Sequence, residues 1–288
     1  MAMTGASRWA GRENRGWHLL FSFLVGLVCV VTVVLFLAVF INSVKPSTEI
    51  FRNVWAIPKK LTLNNYAFLI QHYFLYYFLN STLVMVGAIA LTLFLASMAA
   101  FGLGKFSFKG NRLIYGYFIL GLLFPARVAI VPLFNIVKLF HLYDSLFGIV
   151  LLYAAAMSIP VFVLTNFLSN VPNSILESAK IDGAGYFRIY AQITMPLIQP
   201  AVGALIPLTA IGLWNDLFYP LVFIHSDLKK TVPLGVLGYY SGRMGAFDPS
   251  KYGIAFAAIS ASIIPMLLLY IFGASRIIEN ITQGSVKQ

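Results

Sequence analysis

An all-α membrane protein with six crossings is the fold class that this sequence predicts, and three observations predict it. Of its 288 residues, 60% are hydrophobic and only 10% charged, against about a quarter charged in globular chains, so apolar side chains must face lipid. Uncharged runs such as Leu19–Ile41 and Phe78–Phe101 recur along the chain, and each exceeds the ~20 residues that a spanning helix needs. No polar block between the runs is large enough to form a soluble domain.

In chain order, residues 1–18 form a basic flank in which Arg8, Arg12 and Arg15 stand against Glu13. The first span is placed at 19–41. It is longer than the ~7–15 residues of a signal-peptide core, and no small-residue cleavage site follows it, so it is expected to be retained. Residues 42–77 read as a polar and aromatic loop with one short helix near Leu63–Gln71. Span two covers 78–101, and the short loop Gly102–Arg112 carries Lys105, Lys109 and Arg112. Span three, 113–137, contains Arg127 and is interrupted by Pro125 and Pro132. Such breaks are tolerated where neighbouring helices or water satisfy the freed carbonyls. A tight turn over Lys138–Asp144 leads into span four, 145–168, which holds Pro160. After a polar segment, 169–199, span five covers 200–224 with Pro207, Trp214, Asn215, Asp216 and Pro220. A polar loop, 225–251, precedes span six, 252–274, and the tail 275–288. The membrane domain as a whole is 19–274, and six crossings put both termini on the side of the 169–199 segment.

The formal charge of +11 raises the question of nucleic acid. The basic residues are scattered over several loops with no domain to organise them, so nucleic-acid binding is excluded. The single cysteine, Cys29, lies inside an apolar run and builds neither a disulfide framework nor a thiolate metal site. His18, His72, His141 and His225 lie at segment ends or in loops without ligand spacing, so no metal site is expected. No Gly-rich Walker loop occurs, so the chain itself is not expected to hydrolyse ATP. Paired carboxylates, His clusters and serine-nucleophile arrangements are absent from the sequence, which argues against a membrane enzyme and leaves no catalytic residue to name.

The most informative stretch is Pro172–Pro200, a polar, helix-forming segment between two apolar runs. Ser174 followed by Glu177 can form a capping box, so a short helix is expected to start there. Gly183 and Gly185 break it. A second helix follows, with Tyr186, Ile189, Tyr190 and Ile193 on one apolar stripe, and Pro196 is expected to stop it. Two short amphipathic helices joined at a glycine need a surface to bury against, either lipid headgroups or a soluble partner. Asp182 has an alternative role as a cap of the turn.

These residues carry a resemblance. Glu177, Ser178 and Ala179, three residues, Gly183, nine residues, then Ile193, Thr194, Met195 and Pro196 keep the spacing of the cytoplasmic coupling loop of permease subunits in binding-protein-dependent ABC importers. That loop reads Glu-Ala-Ala, three residues, Gly, nine residues, Ile-x-Leu-Pro, so Ser178 and Met195 depart from it. Lys180 to Ala184, Asn80-Ser81, Pro132-Leu133, Trp214-Asn215-Asp216, the Ala-rich start of span six and Gln283 to Lys287 are similar, in order and spacing, to the carbohydrate-uptake branch of the maltose-permease G type. The similarity covers nearly the whole chain from span two onward.

The resemblance implies the six-helix type I ABC importer permease fold with a cytoplasmic two-helix coupling loop, in a subunit of the bacterial inner membrane with both termini cytoplasmic. It implies a second permease subunit of the maltose-permease F type, two ABC ATPase subunits, an external solute-binding protein and a sugar substrate. ATP and Mg would be used by the ATPases, with no cofactor on this chain. Glu177, Ser178, Ala179, Asp182, Gly183, Ala184, Tyr186, Ile189, Ile193 and Pro196 would form the ATPase-coupling site, with Ala179, Tyr186 and Ile189 docking into the ATPase. Charge alone barely decides orientation. Ten Lys and Arg fall on the coupling-loop side and nine, including Arg243, on the other. Only the N-terminal flank and the triplet after span two tilt the balance inward.

Arg127 and Asp216 are the charges inside the spans. A membrane carboxylate costs roughly 2.5–3.5 kcal/mol on insertion scales, so Asp216 needs a partner or a wet cavity. At about 1.5 Å per residue the two lie at similar depth, roughly 21 and 24 Å from the cytoplasmic starts of their spans. Either they pair and brace spans three and five, or Trp214, Asn215 and Asp216 line a sugar path, an indole face and an amide suiting a pyranose ring. An importer of a non-sugar solute is the alternative to a sugar importer. A secondary transporter is less favoured, because no inverted repeat is evident.

Overall fold

In a computed structural model the chain is helical throughout its regular structure. Residues 6–124, 126–240 and 248–285 are described, and no strand occurs among them. Among the described residues four helices are long and apolar enough to cross a membrane, Trp17–Ser43, Phe74–Lys105, Tyr186–Trp214 and Tyr252–Ile271, and two bent helix pairs bring the number to as many as six. Pro125, Arg243, Val286 and Lys287, all used in reading the sequence, lie outside the described residues.

The chain divides into two compact units, Met1–Leu69 with Tyr239–Ala261, and Ile70–Gly238 with Ser262–Gln288. The first contains α1 (Ala6–Ser43), α2 (Ser47–Arg52), most of α3 (Asn64–Gln71) and the start of α14 (Tyr252–Ser285). Its connecting stretch is held by polar groups as much as by apolar packing. The fully buried Lys45 ammonium donates to Asn42 Oδ1 at 3.0 Å and to the Val54 carbonyl at 3.2 Å. The Asn65 amide donates to the carbonyls of Ser43 and Lys45, and Tyr66 bridges the hydroxyls of Ser43 and Ser260. The single helix expected in 42–77 is therefore joined by α2. A glycine is required at 253, where an added Cβ would sit 2.7 Å from the Asn65 amide.

The second unit is built around α4 (Phe74–Lys105), which packs against α7 (Leu146–Ala155), α8 (Ser158–Ser169) and α11 (Met195–Trp214). Ala88, Ala96 and Ala100 of α4 are completely buried, and such small residues let helix backbones approach closely where lipid supplies no hydrophobic drive. One apolar cluster joins Leu93, Phe101, Leu164, Leu168, Leu176, Ile189 and Ile198. A second joins Val84, Ile149, Tyr153, Tyr219 and Phe223.

Several expectations are corrected. Pro132 does not interrupt its helix, because it is the third residue of α6 (Ile130–Leu139), where the missing N–H would have had no partner. The break in that span lies instead between α5 (Asn111–Leu123) and the 3₁₀ turn Ala126–Ala129. Pro160 is likewise third in α8, and the chain bends by 46° between α7 and α8. Pro196 does not stop the helix it follows. A π turn over Tyr190–Thr194 hands α10 (Tyr186–Ile189) on to α11, and Pro196 falls in the first turn of α11. The helix of the fifth span thus begins at Tyr186 and ends at Trp214, ahead of the short α12 (Phe218–Phe223). The loop expected at 225–251 contains a further helix, α13 (Val232–Tyr240).

Candidate functional site

The coupling segment starts with α9 (Ser174–Ile181). No capping box forms. Asn173 is the N-cap, its backbone already helical and no side chain capping it, so Ser174 lies inside the helix and cannot act from outside. Glu177 sits in the first turn, where its charge favours the helix dipole. The other end is closed by backbone alone. The Gly183 N–H donates to the Lys180 carbonyl at 3.0 Å and the Ala184 N–H to the Ala179 carbonyl at 2.9 Å, with Gly183 at φ +79°. This is a Schellman motif, which places a left-handed residue just beyond the helix and explains why the glycine stands four residues after Ala179. Asp182 is the C-cap residue through its backbone.

The segment has two apolar faces. Leu176, Ala179, Ile189 and Tyr190 are buried in the cluster shared with α4 and α8. The expectation that Ala179 and Ile189 dock outward is corrected, since they are 8% and 0% exposed and hold the segment to its own spans. The outward face is Tyr186, Phe187 and Ile181, which are 61%, 81% and 86% exposed. Ile181 and Phe187 were missed because they fall off the stripe drawn by helical spacing, whereas the turn at Gly183 brings a new face outward. Ile193 is half-buried, Glu177, Ser178, Asp182, Gly183 and Pro196 are exposed, and Ala184 is half-buried.

Rings and cations tie the segment to the end of α4. Phe106 meets Phe101 and Tyr186 edge-on at 5.1 and 5.4 Å, and the Lys180 ammonium lies 5.2 Å from the Tyr186 ring centre. Lys105 donates to the Val171 carbonyl.

The second site gathers Arg127 and Asp216 as one of the two sequence alternatives required. Arg127 Nη2 lies 3.2 Å from Asp216 Oδ1. The Asp216 carboxylate also accepts from the Tyr153 hydroxyl at 2.8 Å and from the backbone N–H groups of Phe218 and Tyr219. The Arg127 guanidinium lies 5.3 Å from the Phe218 ring centre. Tyr153 was missed, although a lone phenol inside the apolar fourth span was a legible signal. Trp214 does not line an open path. It is 3% exposed, packs edge-on against Phe78, and donates to the Ser262 carbonyl. Asn215 is exposed and donates to the Ile211 carbonyl of its own helix.

Outside the spans, Asp144 organises a third polar cluster. It accepts from the backbone N–H groups of His225 and Ser226, from the Ser226 hydroxyl and from Lys229. Desolvation pushes its carboxyl up, but those hydrogen bonds outweigh it and hold the group well below the usual carboxylate range. Among the described residues no group of His, Cys, Asp and Glu could hold a metal ion.

Broken, proline-rich spans, a polar pair held within them and a rigid two-helix projection define a membrane transport component. The chain belongs to the binding-protein-dependent transport system inner membrane component family, which matches residues 92–275. The permease protein of a diacetylchitobiose uptake system from Streptomyces coelicolor is 33% identical, over 98% of this chain and 93% of its own length. The permease protein of an arabinooligosaccharide transport system from Bacillus subtilis is 32% identical, over 86% and 88%. A crystal structure of a bacterial ABC transporter involved in import of the acidic polysaccharide alginate has a chain of the same fold, at TM-score 0.80 and 20% identity, covering 92% of this chain and 97% of that one. The fold is thus that of ABC importer permeases, and the chain is a transport component rather than an enzyme. Membership implies a partner permease, ATPase subunits and a solute-binding protein.

Proposed function

We propose that this chain is the G-type permease subunit of an ATP-driven sugar importer. It forms half of the translocation path beside a subunit of the maltose-permease F type. Two ATPase subunits, which use ATP and Mg, drive it, and an external binding protein delivers the sugar. Both termini and the coupling segment lie in the cytoplasm of a bacterial inner membrane. The relatives that transport oligosaccharides support a sugar as the solute.

The observation that carries the coupling role is the division of labour within 174–189. The inner residues Leu176, Ala179 and Ile189 are packed into the spans, while Ile181 and Phe187 stand outside, largely exposed, beside a Tyr186 ring that Phe106 and Lys180 support from within the segment's own surroundings. A rigid segment with an apolar outer face can transmit the closure of an ATPase pair to the spans, because its inner contacts do not slide. Replacing Phe187 and Ile181 together by serine should release the ATPases during purification of the assembled importer and abolish sugar uptake, while the two permeases stay associated. Retention of the ATPases by that variant overturns the docking role. Uptake by the intact importer of a non-sugar solute alone overturns the substrate class.

A further inference from the structure

The polar pair sits where three helix discontinuities converge. Arg127 lies in the 3₁₀ turn between α5 and α6, Asp216 in the gap between α11 and α12, and Tyr153 in the last turn of α7, just before the bend into α8. An added Cβ on Gly121 of α5 would collide with the Ser158 hydroxyl at the start of α8, so two of the breaks are adjacent. Irregular backbone at membrane depth is tolerated only where protein buries it or where it lines a watery cavity. Secondary transporters place solute sites at such interrupted helices, and the same backbone chemistry is present here.

The two charges are not treated alike. Asp216 is 10% exposed in its side chain and accepts from Arg127, Tyr153, Phe218 and Tyr219, so its oxygens are saturated. Arg127 is 68% exposed and spends one hydrogen bond on Asp216. A guanidinium has five N–H donors in a fixed planar fork, and the remaining ones meet no acceptor among the described residues. The pairing with Asp216 uses one of them and leaves the rest of the fork free to meet a ligand. Asp216 fixes the position and charge balance of the fork, and Phe218 supports the face of the guanidinium at 5.3 Å.

We propose that Arg127 is a solute-contacting residue of the translocation path, its outward N–H groups meeting acceptor oxygens of the passing sugar. Neighbouring hydroxyls of a neutral ring and the carboxylate of a uronic acid both present two adjacent acceptor oxygens to such a fork. Asp216 and Tyr153 act as positioning residues behind it. The inference rests on the importer reading above.

The test uses the complete importer in proteoliposomes, with Cys29→Ser and Arg127→Cys in this subunit, a water-soluble methanethiosulfonate reagent, and binding protein loaded with diacetylchitobiose, arabinotriose or a glucuronosyl disaccharide. The Arg127→Cys thiol should react from water, and sugar-driven turnover should slow the reaction several-fold. Protection by the neutral sugars assigns the hydroxyl contact, and protection by the glucuronosyl disaccharide alone assigns the carboxylate. In the otherwise native chain, Arg127→Gln should lower uptake about tenfold or more, the scale of a lost charged hydrogen bond. Arg127→Lys should recover only part, because a lysine keeps the charge and loses the fork. An unreactive thiol, labelling indifferent to sugar, or full uptake by Arg127→Lys overturns the proposal. Native importer that takes up a non-sugar solute alone overturns the sugar reading instead, and thiol reactivity is read separately from it.

Discussion

Ser97 and Tyr190, 93 residues apart in sequence, share a buried hydrogen bond of 2.8 Å between their hydroxyls. It joins the last third of α4 to the π turn from which the coupling segment enters α11. Tyr190 also packs on Phe101 at 5.6 Å, so one side chain links the coupling segment to α4 by polar and apolar contact together.

Tyr190→Phe keeps the ring and deletes the bond. It should lower stability by about 1 kcal/mol, the net worth of a buried hydrogen bond whose partner is left behind. Pairing it with Ser97→Ala removes both hydroxyls and should cost less than the sum of the single changes. Thermal unfolding of the four proteins in detergent reads this cycle, and strictly additive losses would show that the bond is not formed.

At Gly183 an added side chain would meet no atom within 4 Å, yet φ is +79°. The cost of a substitution is therefore backbone strain and not a clash, roughly 1–2 kcal/mol for an ordinary L-residue. Gly183→Val should uncouple ATP hydrolysis from uptake, while Gly183→Asn, which tolerates the left-handed region, should be milder. The ratio of sugar accumulated to ATP hydrolysed measures both, and normal accumulation in Gly183→Val would refute a role for this turn in coupling.

Asp216→Asn turns two acceptor oxygens into one acceptor and one donor. With Arg127, Tyr153, Phe218 and Tyr219 all donating to that carboxylate, at least one donor must lose its partner, at a cost of roughly 1–3 kcal/mol. Both assembly yield and transport should fall. If both are unchanged, the pair does not brace the third and fifth spans.

Asp144 is bound in its ionised form, and its pKa is held below the ordinary 3.8. A carboxyl that is depressed on folding contributes stability above the unfolded value and loses it as pH falls through the folded one. The importer's unfolding temperature should therefore drop steeply below about pH 4, with the 225–230 turn loosening first. Asp144 also has φ +54°, so Asp144→Asn keeps an allowed backbone while removing the charge. In that variant stability should be lower at neutral pH and the acid-dependent drop smaller; an unchanged acid profile would sink the assignment.

Much of this architecture was legible. Long uncharged runs announced helices in lipid, the Glu177 to Pro196 spacing announced the coupling segment, and the rarity of charge within apolar runs singled out Arg127 and Asp216. Pro132 and Pro196 misled because a proline's effect depends on its distance from the helix start, which composition does not reveal. Ala179 and Ile189 misled for a related reason: an amphipathic stripe states that a face will be covered, and not by which neighbour.

The sequence by itself thus determined that the chain crosses the membrane, roughly where, and which polar residues must find partners there, because the cost of placing a charge or an open carbonyl in hydrocarbon is a local property. Only the tertiary structure decided which face of the coupling segment is spent on its own spans, which hydroxyl completes the Asp216 carboxylate, and which side of the Arg127 fork remains open. Those outcomes depend on contacts between residues tens of positions apart, and a one-dimensional pattern carries no record of which of several equally apolar surfaces will meet.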